Sequence, residues 1–445
     1  MKNRKLLMCG AALVMAVPIY SSNDNNEKSF VDQQIDAKSQ ANKIMFMDGK
    51  PSASEEVRSY VDSVRRVVAK YYYDQFRNSQ DPDMPYFLFM SKGANMTLGI
   101  GGGVRMRAYF DWNGAMPSSA FSPYTIPIPA DPARRSNFNS TPAGTYLNFT
   151  MNGHNTIIGD YSLYIEADFT GYGSRDFHLK KSYATIRDFT LGYATSSFSD
   201  PGAEPAILDA AGANNKYANT SVLVRYMPCI KDKWYLAASI ETPVTALDVT
   251  NGLVREATNW LPDAAAFVQY EWKRGQHVRL SGIVRSLSYL TIADSKQHNV
   301  LGWGLQGSGV YRPHQQLTLY GIVNCGEGYG GLGGDLLYSS YDLVPNPENR
   351  SELYAPFSYG WCAGLQYNIL PNLFTTLAAS QTRYMPKAGV NPNEYKYGIF
   401  SCANVFWSIL PRLTLAAEYD WGMRKNFSGD HKAASRLNLS AMFTF

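Results

Sequence analysis

The chain of 445 residues is too long for one ordinary soluble domain and has room for a large fold with an appendage. Only 18% of the residues are charged while 13% are aromatic, a balance that is unusual for a soluble enzyme of this size. The net charge of +4 is too small to indicate a nucleic-acid partner, and the mature part contains no apolar run long enough for a transmembrane helix.

Residues 1–22 have the form of a secretory signal peptide. Lys2, Arg4 and Lys5 precede an apolar run over residues 6–17, and small and polar residues follow it. The apolar run is too short to be a membrane anchor. The sequence therefore predicts export from the cytoplasm.

The next segment, residues 23–92, is predicted to be periplasmic and helical. Residues 52–55 have the form of a capping box. Apolar residues then follow at alternating spacings of four and three, which is a heptad seam: Val57, Val61, Val64, Val68 and Tyr71. About two heptads are too few for a self-sufficient coiled coil. Two interpretations remain open, an amphipathic helix on the rim or in the mouth of a barrel, and an oligomerisation helix.

From residue 93 to residue 445 the chain is a series of segments that alternate between apolar and polar residues. In the first segment, Val104 and Met106 lie on one face while Arg105 and Arg107 lie on the other. Apolar residues outside and charged residues inside are the reverse of a soluble barrel. The predicted strands are 96–111, 145–152, 157–169, 177–185, 189–197, 220–227, 234–241, 264–272, 277–285, 299–311, 317–324, 358–368, 373–381, 395–407, 413–421 and 435–445.

The connections between these strands alternate between short polar turns and long segments rich in Gly, Pro, Ser and Asp. The long connections are 112–144, 198–219, 242–263, 286–298, 325–357, 382–394 and 422–434, with a shorter one at 170–176. Short periplasmic turns and long external loops are typical of outer-membrane barrels. The fold class predicted is all-β, a sixteen-stranded antiparallel transmembrane β-barrel preceded by a short periplasmic helix.

The final segment ends on an aromatic residue. Leu437, Leu439, Ala441, Phe443 and Phe445 share one face of the last predicted strand. A terminal amphipathic strand of this kind resembles bacterial outer-membrane barrels, where it closes the barrel and is the insertion signal. The resemblance implies that the barrel-assembly machinery is a partner during insertion and that outer-membrane lipid surrounds the mature protein.

Three neighbouring motifs carry a resemblance to a known family. These are Leu-Tyr-Ile-Glu-Ala-Asp-Phe at 163–169, Phe-His-Leu-Lys-Lys-Ser-Tyr-Ala at 177–184 and Leu-Gly-Tyr-Ala-Thr-Ser-Ser-Phe-Ser-Asp at 191–200. The chain resembles the DcaP-like porins of Gram-negative bacteria, although His178 and Lys180 stand where the family tends to have Arg. The resemblance implies a homotrimer of sixteen-stranded barrels with an N-terminal coiled coil that admits small, often anionic, solutes.

If the chain is a porin, its lumen lining follows from the strand alternation. The residues predicted to line the pore and set its selectivity are Arg105, Arg107, Asp111, Glu166, Asp168, Lys180, Arg225, Arg279 and Arg436. The connection 198–219 is predicted to fold inward as a constriction loop that brings Asp200, Glu204 and Asp209. Rows of opposite charge would place a transverse field across the pore and favour anions or zwitterions. The alternative is a solvated lining without selectivity.

No catalytic or metal-binding motif is convincing. Gly99 to Gly103 lies inside a predicted strand with no helix after it, and the pair Glu166 and Asp168 is an ordinary feature of a polar lumen. The cysteines and histidines have no ligand spacing, so neither a cofactor nor a metal is predicted. Passive diffusion of small solutes through an outer-membrane porin is the leading function. A surface-exposed structural or adhesin-type barrel without an open pore is the alternative, and an outer-membrane enzyme comes third.

Overall fold

The computed structural model describes residues 43–46, 87–90, 96–169, 176–231, 233–273 and 275–445. Sixteen strands of this part form one closed antiparallel barrel. They are β1 Met96–Trp112, β2 Tyr146–Asn155, β3 Gly159–Asp168, β4 His178–Ile186, β5 Phe189–Thr195, β6 Thr220–Tyr226, β7 Trp234–Glu241, β8 Asp263–Lys273, β9 Gln276–Thr291, β10 Lys296–His314, β11 Leu317–Glu327, β12 Phe357–Leu370, β13 Leu373–Met385, β14 Tyr395–Leu410, β15 Leu413–Asn426 and β16 His431–Thr444.

The last strand closes the barrel against the first. β16 pairs antiparallel with β1 from Ser435 opposite Trp112 to Thr444 opposite Gly103. The ladder continues for one more residue, because the Phe445 N–H donates to the Gly102 carbonyl at 2.8 Å and the Gly102 N–H donates to the Phe445 carbonyl at 2.9 Å. The predicted sixteen-stranded antiparallel barrel is confirmed.

The structure also contains short strands and 3₁₀ helices outside the sixteen barrel strands. Short strands occur at Lys43–Phe46, Phe87–Met90, Ser136–Thr141, Cys229–Ile230, Val254–Glu256, Val344–Pro345 and Leu353–Tyr354. Short 3₁₀ helices occur at Pro123–Thr125, Pro132–Arg134, Pro201–Ala203, Gly330–Leu332 and Asp335–Tyr338. In the part of the chain that the structure describes, no helix has the length and apolar character needed to cross a membrane.

The described pieces of the N-terminal segment are strands. Phe87–Met90 pairs antiparallel with β1 at Thr97 to Ile100, directly beyond the point where Phe445 ends the β16 ladder. Lys43–Phe46 pairs with Phe87–Met90 in parallel. The sequence did not predict either strand. The predicted signal peptide and the helix with the seam Val57, Val61, Val64, Val68 and Tyr71 lie outside the described residues.

The two faces of the barrel wall differ in polarity, as the alternation predicts. On β1, Val104 and Met106 expose 57% and 63% of their surface, whereas the neighbouring Arg107 exposes 1%. On β16, Leu439 is exposed while Arg436 is fully buried. The wall is therefore apolar outside and polar inside, which is the arrangement of a barrel that faces lipid.

One connection that was predicted to be a long loop is instead the end of a β-hairpin. Residues 286–298 were predicted as a long connection, but β9 and β10 continue through most of it and pair from His277 opposite Val310 to Thr291 opposite Lys296. The apolar residues change face there, since Val284 is exposed outside whereas Leu287 and Tyr289 are buried against Leu343. The two strands therefore extend as a ribbon beyond the neighbouring strands.

Three long connections fold into the barrel, whereas the sequence predicted this only for 198–219. The other two, 112–144 and 325–357, were expected to be external, yet Phe121 and Tyr329 are buried inside. Phe121 packs with Ile126 and Phe400, and Tyr329 packs with Phe198, Tyr217 and Leu332. A sixteen-stranded barrel is too wide for its wall side chains to fill, so loop residues supply its apolar core.

Candidate functional site in the barrel lumen

The constriction loop, residues 198–219, is held by Asp209 against the seam between β16 and β1. One carboxylate oxygen, Oδ2, accepts hydrogen bonds from Arg107 Nη1 at 2.9 Å and Arg436 Nη1 at 3.0 Å. The other, Oδ1, accepts the backbone N–H groups of Phe121 at 2.8 Å and Ala211 at 3.0 Å. Burial opposes ionisation of this carboxyl, but the two guanidinium groups outweigh it and lower the pKa of Asp209.

Arg436 also makes a two-point ion pair with Asp111. Its Nε lies 2.6 Å from Oδ1 and its Nη2 lies 3.0 Å from Oδ2. The two residues face each other directly in the β16–β1 ladder. The Arg436 guanidinium also lies 4.2 Å from the centre of the Tyr109 ring, a cation–π contact. All three groups are buried, so the guanidinium is committed to protein partners and is not open to solutes.

Glu418 of β15 clamps the backbone of the same loop. Its two carboxylate oxygens accept the backbone N–H groups of Leu208 at 2.6 Å and Asp209 at 2.7 Å. Asn404 of β14 donates to Glu418 at 2.8 Å and, through the same amide nitrogen, to the Ala206 carbonyl at 2.8 Å. The wall thus recognises the loop through its main chain as well as through Asp209.

Asp200 attaches the start of the loop to β9 and β10. Its Oδ2 lies 2.8 Å from His277 Nε2 and accepts a hydrogen bond from Ser308, and its Oδ1 lies 3.6 Å from Arg279 Nη1. Arg279 also donates to the Ser199 carbonyl at 2.8 Å. Burial opposes ionisation of Asp200, but the charges of Arg279 and His277 lower the pKa of its carboxyl.

The end of the loop meets the other two inward loops at one carboxylate. Asp335 accepts hydrogen bonds from Ser122 Oγ at 2.6 Å, Asn214 Nδ2 at 3.0 Å and Tyr395 OH at 2.7 Å. These donors come from the 112–144 loop, the constriction loop and β14. Burial raises the pKa of Asp335 to about 6, an effect that the three donors only partly offset.

The accessible face of the constriction loop borders a cavity of about 400 Å³. Glu204 and Lys216 form an ion pair of 2.8 Å on this face, and Ile207 and Tyr320 supply apolar and aromatic lining. Burial raises the pKa of Glu204, with Lys216 acting in the opposite direction. The cavity wall is therefore mixed in character, with one matched pair of opposite charges.

Arg105 differs from the other predicted basic residues near the loop. It is half-buried, and its Nη2 donates to the Leu208 carbonyl at 2.7 Å. No carboxylate of the described residues lies within ion-pair distance of it. Arg107 and Arg436, by contrast, are each paired with Asp209. The sequence predicted opposed rows of charge across the pore. In the structure, Arg107 and Arg436 are instead ion-paired with Asp209, and the guanidinium of Arg105 is not part of an ion pair.

A second group of predicted residues lies away from the loop. Lys180 Nζ is 2.8 Å from Glu166 and 3.7 Å from Asp168, both buried on the lumen side of β3. The β3–β4 register shifts at this point, which leaves Lys180 as an extra residue before Lys181. The neighbouring Lys181, which was not among the predicted residues, is buried, whereas the Lys180 side chain is exposed. Arg225 is also buried and donates to the Thr195 carbonyl at 3.1 Å.

A further arginine, which was not among the predicted site residues, is buried in the lumen. Arg285 of β9 lies 3.1 Å from Asp263 and 3.1 Å from Asp342, and it joins the barrel wall to the 325–357 loop. Arg285 is six residues after Arg279, so the strand alternation already placed the two on one face. Its partner Asp342 lies in a loop where no periodicity indicated an inward position.

Comparison with known proteins agrees with this architecture. The family model of the DcaP outer membrane protein matches residues 92–445. The crystal structure of the outer membrane channel DcaP of Acinetobacter baumannii is similar, with 20% identity, a TM-score of 0.67, and coverage of 79% of this chain and 98% of that one. None of the curated proteins compared with the chain matches it.

More distant structures share the fold. The anion-selective porin from Comamonas acidovorans is 9% identical, with a TM-score of 0.53 and coverage of 79% of this chain and 100% of that one. The outer membrane protein OmpT of Vibrio cholerae, folded in vitro, is 10% identical, with a TM-score of 0.51 and coverage of 79% and 98%. At these identities the similarity concerns the barrel fold alone.

Proposed function

Because the chain belongs to the DcaP outer membrane protein family and so lies in the outer membrane, we propose that it is a porin for passive diffusion of small hydrophilic solutes. The observation that carries this proposal is the constriction loop, which crosses the interior and is bonded to the wall by Asp200, Asp209 and Asn214. A loop fixed at several points sets a constant size limit. The cavity of about 400 Å³ beside it is suited to small solutes.

We infer that the pore prefers anions or zwitterions that carry a carboxylate. Arg105 is the support for this preference, since the residue is only partly buried and its guanidinium pairs with no carboxylate in the described part of the chain. A guanidinium binds a carboxylate through two parallel hydrogen bonds. Low-dielectric walls strengthen its field at the constriction. The Glu204–Lys216 pair adds a matched positive and negative group that suits a zwitterion.

The assembly we propose is a homotrimer with its outer face in lipid. Trimer formation is inferred from the family resemblance and from the seam of residues 57–71, which lies outside the described residues. The apolar outer face of β1 and β16 is suited both to lipid and to another barrel wall. The terminal Phe445, paired at the closing seam, is the residue that assembly machinery would recognise.

An adhesin-type barrel has less support. That alternative relied on 112–144 and 325–357 as exposed loops, but Phe121, Tyr329 and Leu336 of these loops are buried inside the barrel. Side chains packed in the interior are not available to an external partner. The long connections therefore favour a role in shaping the passage.

Single-channel recording in a planar bilayer tests the proposal. The purified protein should give step-like currents of fixed size, and removal of residues 203–212 should enlarge the steps because that deletion takes away the constriction. Heat-modifiable mobility on gels provides the control that both proteins are folded barrels. A folded barrel that passes no current would overturn the porin proposal and favour a closed structural barrel.

A further inference from the structure

A compact set of possible metal ligands lies in the wall behind the constriction loop. Cys402 of β14 and Glu418 and Asp420 of β15 are buried, and the thiol sulfur and one oxygen of each carboxylate all lie within 4.8 Å of one another. Cys402 faces Asp420 directly in the β14–β15 ladder, and Glu418 is the next residue on the same face. The sequence spacing did not indicate this set, because its members come from two strands.

A fourth residue, Asn438, indicates that a positively charged partner is missing from this set. Asn438 of β16 faces Glu418 directly, and its Nδ2 donates to Asp420 Oδ2 at 2.7 Å. Its other amide atom, Oδ1, and Asp420 Oδ1 both have no hydrogen-bond partner in the described part of the chain. Asn438 and Asp420 are fully buried. Buried acceptor oxygens without partners are costly unless a cation or a proton donor reaches them.

The neighbouring carboxylates already have their partners. Asp111 is neutralised by Arg436, and Asp209 by Arg107 and Arg436 together. Glu418 accepts two backbone N–H groups and an amide. Asp420 receives a single amide hydrogen bond, so its negative charge is the least compensated of the group.

We propose that Cys402, Glu418, Asp420 and the amide oxygen of Asn438 bind a divalent cation of the zinc class. A thiolate selects zinc over magnesium or calcium, and three oxygen ligands complete the four-coordinate shell that zinc prefers. Metal–ligand bonds of about 2.0–2.3 Å require the ligand atoms to approach to about 3.5 Å, a closure of about 1 Å. On binding, the Cys402 thiol releases its proton to water and its sulfur lone pair forms the bond.

The site is coupled to the constriction loop through Glu418. Glu418 Oε2 accepts both Leu208 N–H and the Asn404 amide, whereas Oε1 accepts only Asp209 N–H and keeps a second lone pair, so Oε1 can bind the metal without releasing the loop. The bound cation therefore fastens β14, β15 and β16 together at the position where the loop is clamped. Metal binding does not depend on whether the barrel conducts solutes.

Cobalt(II) is a suitable probe, because a tetrahedral site with a thiolate gives visible bands and a sulfur-to-cobalt band in the ultraviolet. The full-length protein in detergent, with the exposed Cys229 changed to Ser, should bind one equivalent of cobalt(II), and zinc(II) should displace it. The variants Cys402→Ala and Asp420→Asn should lose the spectrum. Asn438→Ala, which keeps the thiol, should weaken binding about tenfold or more.

Cys362→Ala is the matched control, since Cys362 is also a free buried cysteine of the barrel wall. It should leave cobalt(II) binding unchanged. Each variant is checked for heat-modifiable mobility, so that a folding defect is not read as lost binding. The proposal is overturned if the folded starting protein gives no sulfur-to-cobalt band, or if that band persists in Cys402→Ala.

Discussion

Arg436 and Asp111 form a two-point ion pair across the seam where the last strand meets the first, with contacts of 2.6 and 3.0 Å. They occupy directly opposed positions in the β16–β1 ladder, so the pair forms only in the closed barrel. The third guanidinium nitrogen reaches Asp209 of the constriction loop. Barrel closure and loop placement therefore share one side chain.

Replacement of Arg436 by Leu should destabilise the barrel by about 3–5 kcal/mol, because it leaves Asp111 without a cationic partner and Asp209 with only Arg107. The free energy of unfolding in urea, followed by gel mobility in detergent, measures this loss. Arg350→Leu is the control, since Arg350 is exposed in a loop. Equal stability of the two variants would contradict the proposed importance of the pair.

Arg105 and Arg107 should affect the pore differently although they lie on the same strand face. Arg105→Ser should shift the reversal potential in a salt gradient toward cations, because it removes the unpaired guanidinium. Arg107→Ser removes one partner of Asp209 and should mainly increase current noise as the loop loosens. The double variant should show both effects. An unchanged potential in Arg105→Ser would mean that this side chain does not line the passage.

The packing around Asp335 should become less stable as pH rises from about 4 to about 6, because the buried carboxyl then ionises. The folded-state pKa of this carboxyl is raised from 3.8 to about 6, so the folded protein retains its proton more strongly than the unfolded chain does. The resulting stabilisation is fully present below pH 3.8 and is lost as pH passes through 6. Its size is about 3 kcal/mol, from about 1.4 kcal/mol per pKa unit.

Asp335→Asn provides the test of this pH dependence, because an amide does not titrate in this range. Hydrogen exchange of the 325–357 loop should quicken between pH 4 and pH 6 in the wild type, after correction for the intrinsic exchange rate. The variant should lack that change. A similar pH response in both proteins would assign the effect to other groups, such as Glu204, whose pKa burial also raises.

Gly102 should tolerate no larger side chain. A Cβ atom there would lie 2.7 Å from the Tyr146 carbonyl oxygen and 2.8 Å from the Phe445 ring. Gly102→Val should therefore cost about 1–3 kcal/mol and reduce the yield of heat-modifiable barrel. Gly321→Ala is the control, because its Cβ would meet nothing within 4 Å.

Removal of residues 443–445 should abolish assembly, and normal assembly of that truncation would count against the closing role of Phe445.

The detergent-solubilised complex should have a protein mass close to three chains. Light scattering coupled to chromatography measures it, and a monomer would remove the trimer proposal. Changing Val57 and Val64 to Asp then separates the two interpretations of the predicted helix. Loss of the trimer would assign oligomerisation to the helix, whereas an intact trimer would assign it to contacts between barrel walls.

The strands could be predicted because a wall with two different faces imposes a period of two on the sequence. Arg107 and Arg436 were placed on the lumen side by this rule, and both lie there. Lys180 shows its limit, since a register shift between β3 and β4 adds a residue and cannot be read from alternation.

The partners of the lumen residues could not be predicted, because they depend on contacts between distant loops. Ser122, Asn214 and Asp335 meet through hydrogen bonds that span more than a hundred residues of sequence. No local pattern indicates that the 112–144 and 325–357 loops turn inward. The ion pairs of Arg107 and Arg436 with Asp209 likewise depend on the position of the constriction loop, which the alternation in the strands does not predict.

Two chain segments pair end to end with the same edge of β1. β16 and Phe445 occupy Gly102 to Trp112, and Phe87–Met90 occupies Thr97 to Ile100. A slip of β16 by one residue would turn every inward side chain outward. In one direction that slip would also drive Phe445 toward Phe87. The pairing of Phe87–Met90 with β1 therefore leaves no free edge at Thr97 to Ile100 for β16 to shift into.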